Sequence, residues 1–96
     1  MSCYFIAQIQ ITDMNEYQKY LDHSDSVFSR YKGKYLAVDT SSEVLEGSWS
    51  YGRMVMIEFE NETELKRWYE SPEYQSILLY RLKGAKCDSL LVHGLD

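Results

Sequence analysis

The chain has 96 residues, a formal net charge of −5, 45% hydrophobic residues and 26% charged ones. That suits one soluble domain, 1–96, with no room for a second; ten scattered basic residues in a net-negative chain argue against broad nucleic-acid binding, which needs clustered Lys and Arg. No apolar stretch approaches the roughly 20 residues of a membrane helix, and Met1–Phe5 has no basic region ahead of an apolar one, so no membrane partner and a cytoplasmic location are expected.

Residues 3–11 alternate. Cys3, Phe5, Ala7, Ile9 and Ile11 share one face, and Tyr4, Ile6, Gln8 and Gln10 the other, which predicts a strand. Asp13 with Glu16 reads as a capping box opening a helix. Tyr17, Leu21, Ser24, Phe28 and Tyr31 recur at helical spacing, and Gly33 is a natural stop if it takes a left-handed conformation. Lys34 to Asp39 reads as the second strand, Asp39–Ser42 as a polar turn, and Glu43–Glu46 as an extension of the strand. A loop carrying Trp49 and Tyr51 leads to the third strand, Arg53–Glu60. Val55, Ile57 and Phe59 line one of its faces, and Met54, Met56 and Glu58 the other.

Asn61 with Glu64 repeats the capping pattern, and Leu65, Trp68 and Tyr69 give the buried side of a second helix. Ser71 caps a third, with Pro72 at its first position, where a missing N–H costs nothing. Ile77, Leu78 and Leu82 are its expected apolar stripe. Arg81, Lys83 and Lys86 gather near its end, where positive charge suits the helix dipole, and Gly84 is the expected stop. Cys87–His93 reads as the last strand. Cys3 and Cys87 each begin a predicted strand; if those strands pair antiparallel, the thiols lie at opposite ends and form no disulfide.

These elements predict an α+β, ferredoxin-like βαββαβ antiparallel sheet with helices on one face. The other face, with Tyr4, Ile6, Met54, Met56 and either Leu90 and Val92 or Leu91, has no helix left to cover it. Burying each large side chain is worth roughly 1.5–3 kcal/mol, so a second copy placed sheet to sheet, a homodimer, is the expected partner.

The chain resembles the family catalogued as "domain of unknown function 1330", within the dimeric alpha-beta barrel superfamily. The resemblance runs from Tyr4–Ile9 and Ile11–Asp13 through Tyr17–Tyr20, Tyr31, Gly33 and Tyr35–Leu36. It continues through Leu45–Gly47, Trp49 and Val55–Phe59 to Trp68–Gln75 and Arg81, the Trp68–Gln75 block being the most specific. Met14 stands where that family often has proline, and Lys32 where it has one glycine of a pair. The resemblance implies the dimeric barrel architecture and no settled activity; more distant members of the superfamily include cofactor-free monooxygenases, lactone isomerases and haem enzymes.

The candidate chemistry is sparse. His23 is a candidate acid or base at a cleft edge, against the simpler reading of a surface histidine. His93 alone is weak evidence for a haem ligand, and the histidines and carboxylates show no metal spacing, so no metal is expected. Glu58, on the face with Met54 and Met56, is a candidate general base. The competing reading is a strand-end glutamate that meets water, Arg53 or Arg81. Gln8 is a candidate orienting contact. Trp49, Tyr69, Tyr74, Arg53 and Arg81 are candidate contacts to a small aromatic or carboxylated molecule, against the reading that Arg81 meets Glu70 or Glu73 at the surface. With no P-loop, Gly-x-Gly-x-x-Gly, Gly-x-Ser-x-Gly or Cys-x-x-Cys, no cofactor is expected. The functional expectation is a dimeric protein binding a small molecule between sheet and helices. The alternatives are a cofactor-independent isomerase or monooxygenase acting on an aromatic or carbonyl compound, and a dimerisation module without catalysis.

Overall fold

The computed structural model describes residues 1–96. Its elements are β1 (Cys3–Ile11), α1 (Met14–Phe28), β2 (Lys34–Asp39), β3 (Arg53–Phe59), α2 (Glu62–Tyr69), α3 (Pro72–Gly84) and β4 (Ala85–His93). The strands form one antiparallel sheet in the order β2-β3-β1-β4. This is the ferredoxin-like arrangement, with the second helical segment split where Ser71 caps a new helix and Pro72 opens it.

Register fixes which residues face the helices. Phe5 lies between Ile57 and Leu91, and Ala7 between Val55 and Ser89. The core on this side is aromatic and centred on Trp68. Its ring lies 5.1 Å from Phe5, 5.5 Å from Phe59, 5.9 Å from Phe28 and 4.3 Å from Tyr74. Edge-to-face and offset contacts of this kind add to the simple burial of ring area. On the opposite side Tyr4 lies between Glu58 and Val92, and Ile6 between Met56 and Leu90. Leu91 therefore belongs to the core side and Leu90 and Val92 to the outer one. No helix covers the outer side; Leu90 is 63% exposed and Val92 36%.

Several local expectations change. Asp13 caps α1 by accepting from the N–H groups of Asn15 and Glu16, but the reciprocal half of the capping box is not made. The Asp13 N–H donates instead to Gly84 O, and Glu16 pairs with Lys19. Residues 43–46 do not extend β2; they lie in the exposed loop between β2 and β3. Leu82 points to solvent at 56% exposure, and Arg81 takes the buried position beside it.

Gly33 and Gly84 do not stop helices by turning left-handed, since the only positive φ belongs to Gly47. They are needed for space. A Cβ at Gly33 would lie 2.6 Å from the Phe28 ring, and one at Gly84 would lie 2.5 Å from the backbone N of Tyr17. The Gly84 carbonyl also accepts from Thr12 and Asp13 at 2.8 and 3.0 Å, so the end of α3 is locked against the start of α1. Backbone cannot swing aside as a flexible side chain can. Gly84→Ala is expected to cost about 1–3 kcal/mol in urea unfolding. Gly52→Ala, where an added Cβ meets nothing within 4 Å, should stay within about 0.5 kcal/mol of the parent. Equal effects at the two sites would show that the α1–α3 contact is not a tight one.

Candidate functional site

Ala7 on β1 and Ser24 on α1, both with small side chains, line the space between sheet and helices. A cavity of about 350 Å³ lies there, lined by 14 residues, ten of them hydrophobic. Its sheet wall includes Ala7, Ile9, Val55 and Ile57, its helix wall Tyr17, Tyr20 and Leu21, and its β2 side Tyr35 and Val38. A register shift between Tyr35 and Ala37 lets both Tyr35 and Val38 pair with inward residues, Ile57 and Val55. Asp25 lies on the wall, and the remaining charged lining groups are Arg53, at the start of β3, and Arg81, on α3.

The two arginines set the electrostatics. Arg81 is 2% exposed, and its Nε and Nη1 have no hydrogen-bond partner; the Nε of Arg53 is also buried and unpartnered. Neither guanidinium forms an ion pair, since the pairs present are Lys19–Glu16, Lys66–Glu62, Arg67–Glu64 and His93–Glu62. The Arg53 guanidinium lies 5.9 Å from the Tyr17 ring centre, and that of Arg81 lies 5.7 Å from the Tyr20 ring centre. Ring faces stabilise cations weakly, and they leave the Arg53 Nε and the Arg81 Nε and Nη1 unpartnered. An arginine does not shed its proton, so the positive charge stays in the cavity.

The tyrosines do not neutralise it. Tyr20 and Tyr74 share a hydrogen bond of 2.8 Å between their hydroxyls. Burial holds the Tyr20 phenol well above its ordinary value of 10.0, raises those of Tyr17 and Tyr74, and pushes Tyr35 to about 12. All four are neutral near pH 7. Cys87, close to Arg81, is likewise pushed up by burial, with Arg81 opposing the shift, so it is a thiol and no counter-charge.

The expected site residues divide between the two sides of the sheet. Arg53 and Arg81 both line the cavity, and Tyr74, which does not, is hydrogen-bonded to its wall through Tyr20. Tyr69 lines a separate shallow depression with Leu65, Lys66 and Leu91. Trp49 packs edge-on to Tyr51 in the loop before β3, with ring centres 5.4 Å apart; the Tyr51 hydroxyl donates to Asp88 of β4. Gln8 and Glu58 lie on the outer side, Gln8 between Met54 and Asp88 and Glu58 between Tyr4 and Lys34. His23 is exposed on α1. Arg81 does not reach the surface to meet Glu70 or Glu73; Glu73 accepts from the Tyr31 hydroxyl. Only Arg53 and Arg81 of the cavity lining were expected as site residues; the others, Tyr20, Ser24, Asp25, Tyr35 and Val38 among them, were not. Ser24 was on the predicted stripe, but a serine there carried no sign that it marked a void.

Residues 2–95 match the family described as "Domain of unknown function (DUF1330)". The chain belongs to this family. No curated protein matches its sequence. Among solved structures it is similar to RPA0582 from Rhodopseudomonas palustris, a protein of unknown function, with 16% identity, a TM-score of 0.79, and 99% of this chain and 83% of that one covered. A dimeric ferredoxin-like protein of unknown function from Jannaschia sp. CCS1 gives 10% identity and a TM-score of 0.80, covering 98% and 100%. SnoaB from Streptomyces nogalater, described as a cofactor-independent oxygenase, gives 9% identity and a TM-score of 0.70, covering 99% and 94%. These likenesses show the fold of this family member.

The raised tyrosines give the protein a predictable alkaline limit. The folded state holds these protons more tightly than the unfolded chain. The stability this confers is fully present below about pH 10 and is lost as pH rises through 10 toward about 12. A titration followed by tyrosinate absorbance and far-ultraviolet circular dichroism should show late-titrating phenols ionising together with unfolding. Tyr35→Phe should move that transition to higher pH. An unmoved transition would mean that the Tyr35 phenol does not oppose ionisation in the folded protein.

Proposed function

We propose that this protein binds a small molecule with an apolar or aromatic body and one carboxylate in the cavity between the sheet and α1, with the carboxylate taken by Arg53 and Arg81. The observation that carries this reading is the buried Arg81, with Nε and Nη1 unpartnered, beside the half-buried Arg53, whose Nε is also buried and unpartnered, on a largely apolar wall. A buried donor left without a partner costs about 1–3 kcal/mol, and a carboxylate is the acceptor to which two such guanidinium groups donate best. The tyrosine rings supply flat walls, as small-molecule sites commonly do.

The catalytic alternative, a cofactor-independent isomerase or monooxygenase with Glu58 or His23 as base, has less support. Neither residue lines the cavity, where Asp25 is the one carboxylate on the wall. The likeness to SnoaB, at 9% identity, bears on fold alone.

Calorimetric titration with 1-naphthoate and its neutral analogue 1-naphthamide tests the binding reading. The acid is expected to bind and the amide to bind at least tenfold more weakly, about 1.4 kcal/mol. Arg81→Met should remove that preference while leaving urea stability equal or greater, because an unpaired buried charge is replaced by an apolar chain of similar length. Equal binding of acid and amide by the parent protein overturns the reading. A marked loss of stability in Arg81→Met would make Arg81 a structural residue.

We also propose that two copies of this chain pair through their outer sheet faces. Ile6, Met54, Met56, Leu90 and Val92 form a mixed apolar surface there without a covering element, and the Jannaschia and Thermobifida fusca proteins with this fold are described as dimeric. No helix is long and apolar enough to cross a membrane. Sedimentation velocity should give a dimer for the parent and a monomer for Ile6→Glu, which places a charge in the centre of the face. A parent that sediments as a monomer at high micromolar concentration would exclude the pairing.

A further inference from the structure

We propose that Cys3, Glu62 and His93 form a divalent-metal site of the zinc type at the end of the sheet away from the cavity. The Cys3 sulfur, a Glu62 carboxylate oxygen and a His93 ring nitrogen all lie within 4.8 Å of one another. A tetrahedral zinc with bonds of about 2.0–2.3 Å spaces its ligand atoms roughly 3.3–3.8 Å apart. No pair therefore needs to close by more than about 1 Å, and Glu62 Oε1 and His93 Nε2, now 2.7 Å apart, need to open by about 0.6 Å, which rotation of the two exposed side chains provides.

The fold brings them together by three separate devices. Cys3 and His93 are directly opposite in the β1–β4 ladder, so their side chains emerge on the same side of the sheet. The ladder is clamped just beyond them by the Gly94 N–H donating to Ser2 O at 2.7 Å. Cys3 is also opposite Phe59, the last residue of β3. The chain turns there through the Asn61 cap into α2, which sets Glu62 in the first turn above the strand ends.

Charge and orientation suit a cation. The Glu62 Oε1 lies 2.7 Å from His93 Nε2, while its Oε2 pairs with Lys66 Nζ at 2.9 Å. Lys66 thus steers the free oxygen toward the histidine, as an outer partner commonly orients a metal ligand. A thiolate and a carboxylate would balance the two charges of the ion, and the lysine need not leave. A sulfur, nitrogen and oxygen donor set favours zinc over magnesium or calcium, which seek oxygen alone. Three protein donors leave a fourth position for water.

The same three residue types also make up a nucleophile, base and orienting carboxylate. Cys3 is 2% exposed, so a substrate carbon could not reach its sulfur. A metal needs only the lone pair that faces the two exposed partners. None of the three residues lines the arginine cavity, so the site stands apart from the binding reading above.

The test uses tag-free, reduced, full-length protein stripped of metal and titrated with cobalt(II). The parent is expected to bind one ion per chain, with an intense thiolate-to-cobalt absorption that zinc(II) abolishes by displacement. Cys3→Ser should lose the absorption and Cys87→Ser keep it. His93→Asn and Glu62→Gln, both at surface positions, should each weaken binding at least tenfold. If Cys3→Ser fails to fold, the two surface variants decide. No thiolate absorption in the parent, its persistence in Cys3→Ser, or parent-like affinity in both surface variants would overturn the site.

Discussion

The pleat of β1 divides this molecule. It is a central strand, paired on both edges by β3 and β4, so its alternation sets the alternation of its neighbours. Cys3, Phe5, Ala7 and Ile9 face the helices, and Tyr4, Ile6, Gln8 and Gln10 face away. A one-residue slip would exchange every one of them. The aromatic core, the cavity and the Cys3 thiol follow from the first set. The uncovered surface, with Glu58 and Gln8 embedded in it, follows from the second. Glu58 therefore cannot share a pocket with Arg53 or Arg81, although Arg53 and Glu58 sit on the same strand, because the sheet itself lies between them.

The cavity results from a local shortage of volume in an otherwise well-filled layer. Around Trp68 the rings of Phe5, Phe28, Phe59 and Tyr74 close the space at the α2 end. Beneath α1, Ala7 and Ser24 stand where larger side chains would close it. An apolar void on its own would be filled by modest changes such as Ala to Val. The two guanidinium groups argue that this one is kept open. They carry charge into a space whose tyrosines are held neutral by the same burial, and no protein carboxylate pairs with them. Structural arginines usually find carboxylates or backbone carbonyls; Arg81 leaves Nε and Nη1 without a partner.

Local chemistry was legible in the sequence, and distant contact was not. The alternation of residues 3–11, the Asn61 and Ser71 caps and the Pro72 start depend on near neighbours and appear in the structure, as does the Asp13 cap without the reciprocal half of its box. Gly33 and Gly84 look like helix stops because that is the common local use of glycine. Their true constraint is a ring from Phe28 and the backbone of Tyr17, which lies 67 residues away from Gly84 in a contact no spacing rule reports. Arg81 next to Lys83 suggested a solvated helix end, and Leu82 suggested the core. A rotation of about 100° between successive helical residues exchanges the two, and α3 takes its orientation from the Gly84 lock. Cys3, Glu62 and His93 lie on three different elements, so their meeting depends on the register of β1 with β4 and on where α2 starts.

The same register separates the two polar constellations. At one end of β1, Cys3 is opposite Phe59 and His93; at the other, Ile9 is opposite Arg53 and Cys87. Six residues of extended strand span about 20 Å. At that separation, with an aromatic core between, an ion held by Cys3, Glu62 and His93 could not touch a molecule held by Arg53 and Arg81, and its charge would be felt there only weakly. The two thiols are kept apart by the same distance, so neither can consume the other as a disulfide within one chain. Between the two ends, Phe5 and Ala7 of β1 face the helices and Tyr4, Ile6 and Gln8 project from the surface on which a second copy would sit.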